Sequence, residues 1–407
     1  MGIYYPAKTR DLQLEVHVRA QLRICSCGYT NVIRHLDPFY LKEEFAPSDK
    51  AALSKQQQAA RNILTPHMRL LTFLSSHFNA TRLGNPHIEK VFLRLLDATL
   101  GGLKNSTGHP LSREIRFHII LFGLKVLRHS TGLGHSSRCL LKDQILSAAL
   151  SWFCFAPRWS FGGNRIQLMA EVRLLRDVSA ALKSVTLSGQ KQTPLLNSLH
   201  LKEALLQTLI ESEQARLSVW LFPLNESRET QIHSTKPPNE ATLIPLIRTA
   251  WDQSPSLALQ LISRFPSPRL EREIRWLLLK FPDKAISEPE AVQVLLGESL
   301  PEDVSSQLKY LLYWAPVNPI TAITYFLPAY RNHPFILQYA MRALESHSVD
   351  VTFFYVPQIV QTLRFDVLGY VARYIVETAQ FSQLFAHQII WNMKANAYKD
   401  EDSLIVR

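Results

Sequence analysis

Apolar positions recur at helical spacing along most of this 407-residue chain. The pattern is densest over 351–396. There it runs through Val356, Ile359, Val360 and Leu363, then Val371, Tyr374 and Ile375, then Leu384, Phe385, Gln388, Ile389 and Met393. Breaks at 364–366 and near Gln380 divide the stretch into three helices of about 11–15 residues each. Nearer the start, Thr65-Pro66, Asn85-Pro86 and His109-Pro110 each place proline where a first helical turn begins. Proline costs little there, because that N–H has no partner within the helix. Apolar stripes follow each device: Met68, Leu71, Leu74 and Phe78, then Ile88, Val91, Phe92, Leu95, Leu96 and Leu100, then Ile115, Ile119, Phe122, Val126 and Leu127. Gly101-Gly102 is expected to end the second of these helices and Gly132-Leu133-Gly134 the third. Further helices are expected over 140–155, 166–185 and 200–222. Before residue 65 the pattern is weaker. It allows a helix over 11–23, a loop over 25–34 and a helix capped by Ser48 that runs to Ile63.

The polar stretch 225–239 contains Pro237-Pro238 and almost no apolar residue, which marks a linker. After it the chain repeats a coarse unit of two helices over 243–265, 270–296, 304–326, 335–363 and 369–393, with Pro255, Pro289 and Pro319 at junctions. Units spaced by about 27–34 residues, each burying one face on the next, predict an all-α fold, an α-solenoid of armadillo-like stacked helix pairs. The expected divisions are 1–190, a basic helical region; 191–224, a long connecting helix; 225–239, a flexible linker; 240–398, a helical domain; and 399–407, a tail.

Charge sharpens this division. Residues 1–200 hold 26 Lys/Arg against 12 Asp/Glu, and 201–407 hold 19 against 22, within a net charge of +11. A basic half suits an anionic membrane face, an acidic protein surface or nucleic acid. The cations are scattered, and no RNA- or DNA-binding signature accompanies them, so nucleic acid is not expected as a partner. No 18-residue stretch is free of charged or strongly polar residues, and the first residues lack a signal-peptide core. Pro6 stands where a myristoylation motif needs Ser or Thr. Cys25, Cys27, Cys139 and Cys154 lack the spacing of a metal site and suggest reduced thiols.

Catalytic constellations are missing from the sequence. Gly132-x-Gly134 lacks the third glycine of a dinucleotide loop, and Phe161-Gly162-Gly163-Asn164 suggests a turn. His135-Ser136-Ser137 lacks a nucleophile elbow, and no phosphate loop or kinase catalytic loop occurs. His387 suggests a packing histidine on an apolar helix, and Glu43-Glu44 falls near a loop. No catalytic, cofactor-binding or metal-binding residue is therefore assigned.

Three segments carry a resemblance. FILQYAMRALE from Phe335, VPQIVQTLRFD from Val356 and LFAHQIIWNMK from Leu384 resemble the helical accessory (PIK) domain of phosphatidylinositol kinases. They resemble in particular the type III alpha phosphatidylinositol 4-kinase in its fungal form. Trp251 and Ala315-Pro316 fit the same domain, which spans about 200–398. Residues 35–190 are similar to the helical region just upstream in that kinase, notably at Phe45-Ala46-Pro47-Ser48-Asp49 and Trp159-Ser160-Phe161-Gly162-Gly163-Asn164. The resemblance implies a scaffold that positions a kinase domain, with ATP and Mg bound by the parent kinase and not by this chain. The Gly-rich loop, ATP lysine and catalytic loop are expected beyond Arg407, and a large solenoid before Met1. The chain alone is therefore expected to be inactive, an internal piece of a lipid kinase. Implied partners are the parent's kinase domain, helical-repeat scaffold proteins and membrane-anchor proteins, with peripheral contact to anionic membrane. The implied location is cytoplasmic, held at the plasma membrane through partners. A free-standing α-solenoid adaptor that binds protein is the alternative, which the reading frame past Arg407 would distinguish.

Overall fold

A computed structural model describes part of 69–78 and residues 86–104, 113–130, 132–156, 165–185, 194–221 and 238–397. All regular structure among them is helical, and no strand occurs there. The expectations for 1–65, including Cys25, Cys27 and Glu43-Glu44, lie outside the described residues, as do Trp159–Asn164, most of 225–239 and the tail from 399. The chain forms two compact units, Met1–Pro266 and Ser267–Arg407.

In the first unit the helices are α1 (Pro86–Lys104), α2 (Arg113–His129), α3 (His135–Leu150), α4 (Arg165–Ser184), α5 (Pro194–Leu221), α6 (Glu240–Gln253) and α7 (Pro255–Arg264). Helix α1 packs on α3, α2 on α4, and α3 on α5, while sequence neighbours such as α4 and α5 also touch. That pattern is two interleaved layers, the packing of a helical solenoid. Phe78, Phe92 and Phe122 meet edge to face with centroids 5.5–6.2 Å apart, sealing one end of this core. Gly123 lets α2 and α3 approach closely, since a Cβ there would lie 3.2 Å from Ile145.

Helix starts follow the chemistry expected of them. Asn239 accepts a hydrogen bond from the Ala241 N–H at 3.2 Å to open α6. Pro255 sits in the first turn of α7. Two boundaries differ from the sequence pattern. Helix α1 runs through Gly101-Gly102 to Lys104. Both glycines meet open space, so nothing forces a left-handed turn that would end the helix there. The helix expected over 140–155 starts at His135 and tightens into a 3₁₀ turn over Ser151–Cys154.

The second unit holds α8 (Pro268–Lys280), α9 (Glu290–Leu296), α10 (Pro319–Thr324), α11 (Pro334–Glu345), α12 (Val349–Thr352), α13 (Val356–Thr362), α14 (Tyr370–Phe381) and α15 (Gln383–Ala397). The stretch before α10, expected to begin a helix pair at 304, holds 3₁₀ turns at Glu302–Val304 and Leu308–Leu312 instead of an α-helix. Tertiary bonds hold them there. Arg342 of α11 donates to the carbonyls of Leu311, Leu312 and Trp314. The buried Trp314 donates its indole N–H to the Glu288 carbonyl at 2.7 Å. Tyr339 donates to the Ala315 carbonyl at 2.7 Å and Tyr330 to that of Gly297 at 2.9 Å.

Candidate functional site

Two places in the described residues depart from an ordinary helical core. The first is a buried charge cluster in the unit that ends at Pro266. Arg113 opens α2, Glu171 comes from α4, Glu213 and Arg216 from α5, and Arg264 from the end of α7. Arg113 donates to Glu171 at 2.5 Å and lies 3.3 Å from Glu213, which also pairs with Arg216 and, at 3.1 Å, with Arg264. The guanidiniums of Arg113 and Arg116 lie 5.4 and 5.5 Å from the Trp152 ring centroid, and that of Arg264 lies 5.2 Å from Phe153. Burial alone would raise the Glu213 carboxyl, but Arg113, Arg216 and Arg264 outweigh it and hold it at about 2. Burial pulls Arg264 down, and Glu213 counters that pull. The carboxylate stays ionised and committed to three cations, so it cannot accept a proton near neutral pH. This cluster ties four helices together and offers no reactive group.

The second place is the end of the other unit, where the segment with the densest apolar pattern folds. Helix α15 packs on α13 and α14 through Phe385 and Ile389, and Phe385 meets Tyr374 edge to face at 6.3 Å. Asn392 and Asn396, also on this side, bond back to the carbonyls of Gln388 and Asn392. The other two thirds of the helix face outward. Leu384 is 66% exposed, Ile390 64%, Trp391 56% and Met393 40%, with Phe381 at the end of α14 at 86%. Leu384 and Met393 were expected in the buried stripe. They lie outside it because α15 is apolar nearly all round, so period alone does not choose its face. His387, expected to pack in the core, is exposed and accepts a hydrogen bond from the Trp391 indole at 3.1 Å. Lys394 lies 5.8 Å from the same ring. A row of aromatic and aliphatic side chains this exposed goes beyond the single apolar residues scattered over an ordinary surface. The chemistry on offer is apolar burial with a polar edge, the anatomy of an interface.

The other features considered from the sequence are scattered. Gly134 caps α3 with extended backbone, and His135 lies 3.6 Å from the buried Cys139. No group of His, Cys, Asp and Glu capable of holding a metal occurs among the described residues. No described helix is long and apolar enough to cross a membrane. The charge cluster escaped the sequence reading because its members, the Glu213–Arg216 pair aside, lie 42 to 151 positions apart, and polar residues on amphipathic helices ordinarily face water.

Comparison with known proteins shows what this helical stack is similar to. Residues 253–404 match the accessory domain (PIK domain) of the phosphoinositide 3-kinase family, and 29–187 match the PI4-kinase N-terminal region. The chain resembles regions of phosphatidylinositol 4-kinases. It is 31% identical to phosphatidylinositol 4-kinase stt4 of Schizosaccharomyces pombe over 384 residues, which is 93% of this chain and 20% of that protein. It is 34% identical to phosphatidylinositol 4-kinase STT4 of Saccharomyces cerevisiae over 372 residues, 90% of this chain and 18% of that protein. Phosphatidylinositol 4-kinase alpha 1 of Arabidopsis thaliana is 26% identical over 81% of this chain and 18% of its own length. The chain thus spans about a fifth of the length of these curated relatives. The PIK match takes in the outward-facing α14–α15 pair, and the PI4-kinase N-terminal match takes in α1 to α4 and ends two residues beyond Val185.

Proposed function

We propose that this chain is the helical scaffold of a phosphatidylinositol 4-kinase, which holds a bilobal kinase domain in place and presents it to partners at the plasma membrane. The observation that carries the reading is the coincidence of the PIK match over 253–404 with an uncovered apolar face on α15. A scaffold needs a rigid stack and a sticky end, and α15 supplies the second. In this reading the parent transfers the γ-phosphate of ATP to the 4-hydroxyl of the inositol ring, while these helices touch neither substrate. ATP and Mg belong to the kinase lobes, and no residue here is assigned to them. Basic residues of the first 200 add attraction to anionic lipid, at most about 1 kcal/mol for each well-placed Lys or Arg.

The test is capture of a purified phosphatidylinositol 4-kinase catalytic domain by the immobilised chain, with phosphatidylinositol 4-phosphate formation read beside it. The chain alone is expected to form no phosphoinositide. It is expected to retain the catalytic domain, and to lose it when Leu384 and Trp391 are both replaced by Glu. Retention unaffected by the double substitution, or phosphoinositide formation by the chain alone, would overturn the proposal.

A further inference from the structure

The unit that begins at Ser267 carries a row of cations and rings along its first helix. An α-helix turns about 100° per residue, so Arg269, Arg272, Trp276 and Lys280 of α8 fall within about 80° of arc. Leu270, Ile274, Leu277 and Leu278 are buried on the opposite side. All four residues of the row are exposed, Trp276 by 46%, so the core does not explain a tryptophan there. The row continues past the helix end. Lys280 lies 4.9 Å from the Trp276 ring centroid and 5.5 Å from that of Phe281. Lys284, in the 3₁₀ turn Pro282–Ala285, lies 5.3 Å from Phe281. Both lysines are exposed, and stacking lays their stems along apolar surface with the ammoniums outward.

These cations are not committed to carboxylates. Arg272 donates to the Pro268 carbonyl at 3.2 Å, one turn back on its own helix. None of Arg269, Arg272, Lys280 and Lys284 forms an ion pair among the described residues. Arg275, on the flank of the row, shows the contrast, since it donates to Asp303 at 2.8 Å and to the Leu295 carbonyl at 3.3 Å. Glu271 projects from the far flank of α8, while the half-buried Glu273 borders the row and Asp283 adjoins Lys284. Four cations thus stand against two bordering carboxylates, and the row is net positive.

We propose that this row lays α8 against an anionic lipid bilayer. The Trp276 indole would sit at the boundary of headgroups and hydrocarbon, with Arg269, Arg272, Lys280 and Lys284 on the lipid anions. Shape favours a bilayer over an acidic protein, because the row is the outermost line of its helix and a flat surface reaches all of it at once. Chemistry favours it too. Indole is amphipathic and prefers that boundary. A lysine stacked on a ring can stay with it there while its ammonium reaches the phosphates. The choice of lipid also rests on the phosphatidylinositol 4-kinase reading, since such a kinase works on a membrane-resident anionic lipid. The inference goes beyond that reading by placing a membrane contact outside the first 200 residues, which hold the excess of cations.

The test is flotation of the full chain with phosphatidylcholine vesicles, with and without phosphatidylserine, beside quenching of its tryptophan emission by brominated phosphatidylcholine in the same vesicles. Binding is expected to need phosphatidylserine and to weaken with added salt. Arg272→Gln combined with Lys280→Gln is expected to weaken it at least tenfold, on the order expected for two cations at a charged surface. Trp276→Phe is expected to remove most of the quenching, because the other tryptophans stay out of the lipid. These positions are exposed, so all the variants should keep the wild-type thermal melt. Equal vesicle affinity of wild type and the double variant, or quenching that persists in Trp276→Phe, would overturn the proposal. Saturable binding of a Glu-rich peptide that needs Arg272 and Lys280, without quenching by lipid, would overturn it in favour of a protein partner. A chain that fails these tests yet still retains the catalytic domain through α15 removes this inference alone and leaves the kinase reading standing.

Discussion

Glu213 is the hub of the buried charge cluster in the first unit. It sits fully inside, between Arg113, Arg216 and Arg264. Replacing it with Gln removes the carboxylate that Arg113, Arg216 and Arg264 share, while Glu171 stays paired with Arg113, a loss of about 3–5 kcal/mol by analogy with other broken buried pairs. Urea unfolding of the full chain, followed by far-UV circular dichroism, measures it. The same residue sets an acid limb. Its carboxyl is held at about 2 against an ordinary value of 4.5. A depressed folded value means the stabilisation is complete above about pH 4.5 and falls away as pH drops toward 2. The stability gap between wild type and Glu213→Gln should therefore narrow steadily from pH 5 to pH 3, and a constant gap would refute the assignment. None of this could be read from the residue itself. Glu213 occupies a helix rich in good formers, and only the meeting of α2, α5 and α7 makes it a hub.

At the scale of elements, α15 carries a buried side and an exposed apolar side on one helix. Phe385→Ala removes a fully buried ring and should cost about 3–5 kcal/mol. Leu384→Glu and Trp391→Glu, on the exposed side, should change the melt of the isolated chain by no more than about 0.5 kcal/mol. Glycines offer a comparison of opposite sign. Gly369 caps α14 at φ +71°, and alanine there should cost about 1–2 kcal/mol although its Cβ meets no atom within 4 Å. Gly101 lies inside α1 in open space, so Gly101→Ala should stabilise by about 0.5–1 kcal/mol. Differential scanning calorimetry reads both. Much of the helical order was legible in the sequence, because proline at the first turn and apolar stripes act locally. The reading failed where distant partners decide. The start of the unit expected over 304–326 looks helical until Arg342 claims the carbonyls of Leu311, Leu312 and Trp314, and Gly101-Gly102 looks like a stop although no turn is required there. The exposed face of α15 was hidden for another reason, since an apolar helix carries no mark of which side is covered.

At the scale of the molecule, the family was legible in 335–396, where the spacing of Pro357, Gln358 and the Trp391 helix is distinctive. The exposed apolar side of α15 was not, because it depends on what neighbouring helices leave uncovered. The boundary of the first unit has a practical meaning. Pro266 closes it, so the polar stretch 225–239 lies between parts of one body. Helix α6 packs on α5, Gln253 accepts a hydrogen bond from Ser147, and Arg264 reaches both Glu213 and the Phe155 carbonyl. Covalent continuity through 225–239 is then dispensable once the chain has folded. A protease site inserted there should yield two fragments that travel together on gel filtration and separate in urea. Expressed from separate genes, the same two fragments should find each other, with the Glu213–Arg264 pair acting as the latch of a split protein.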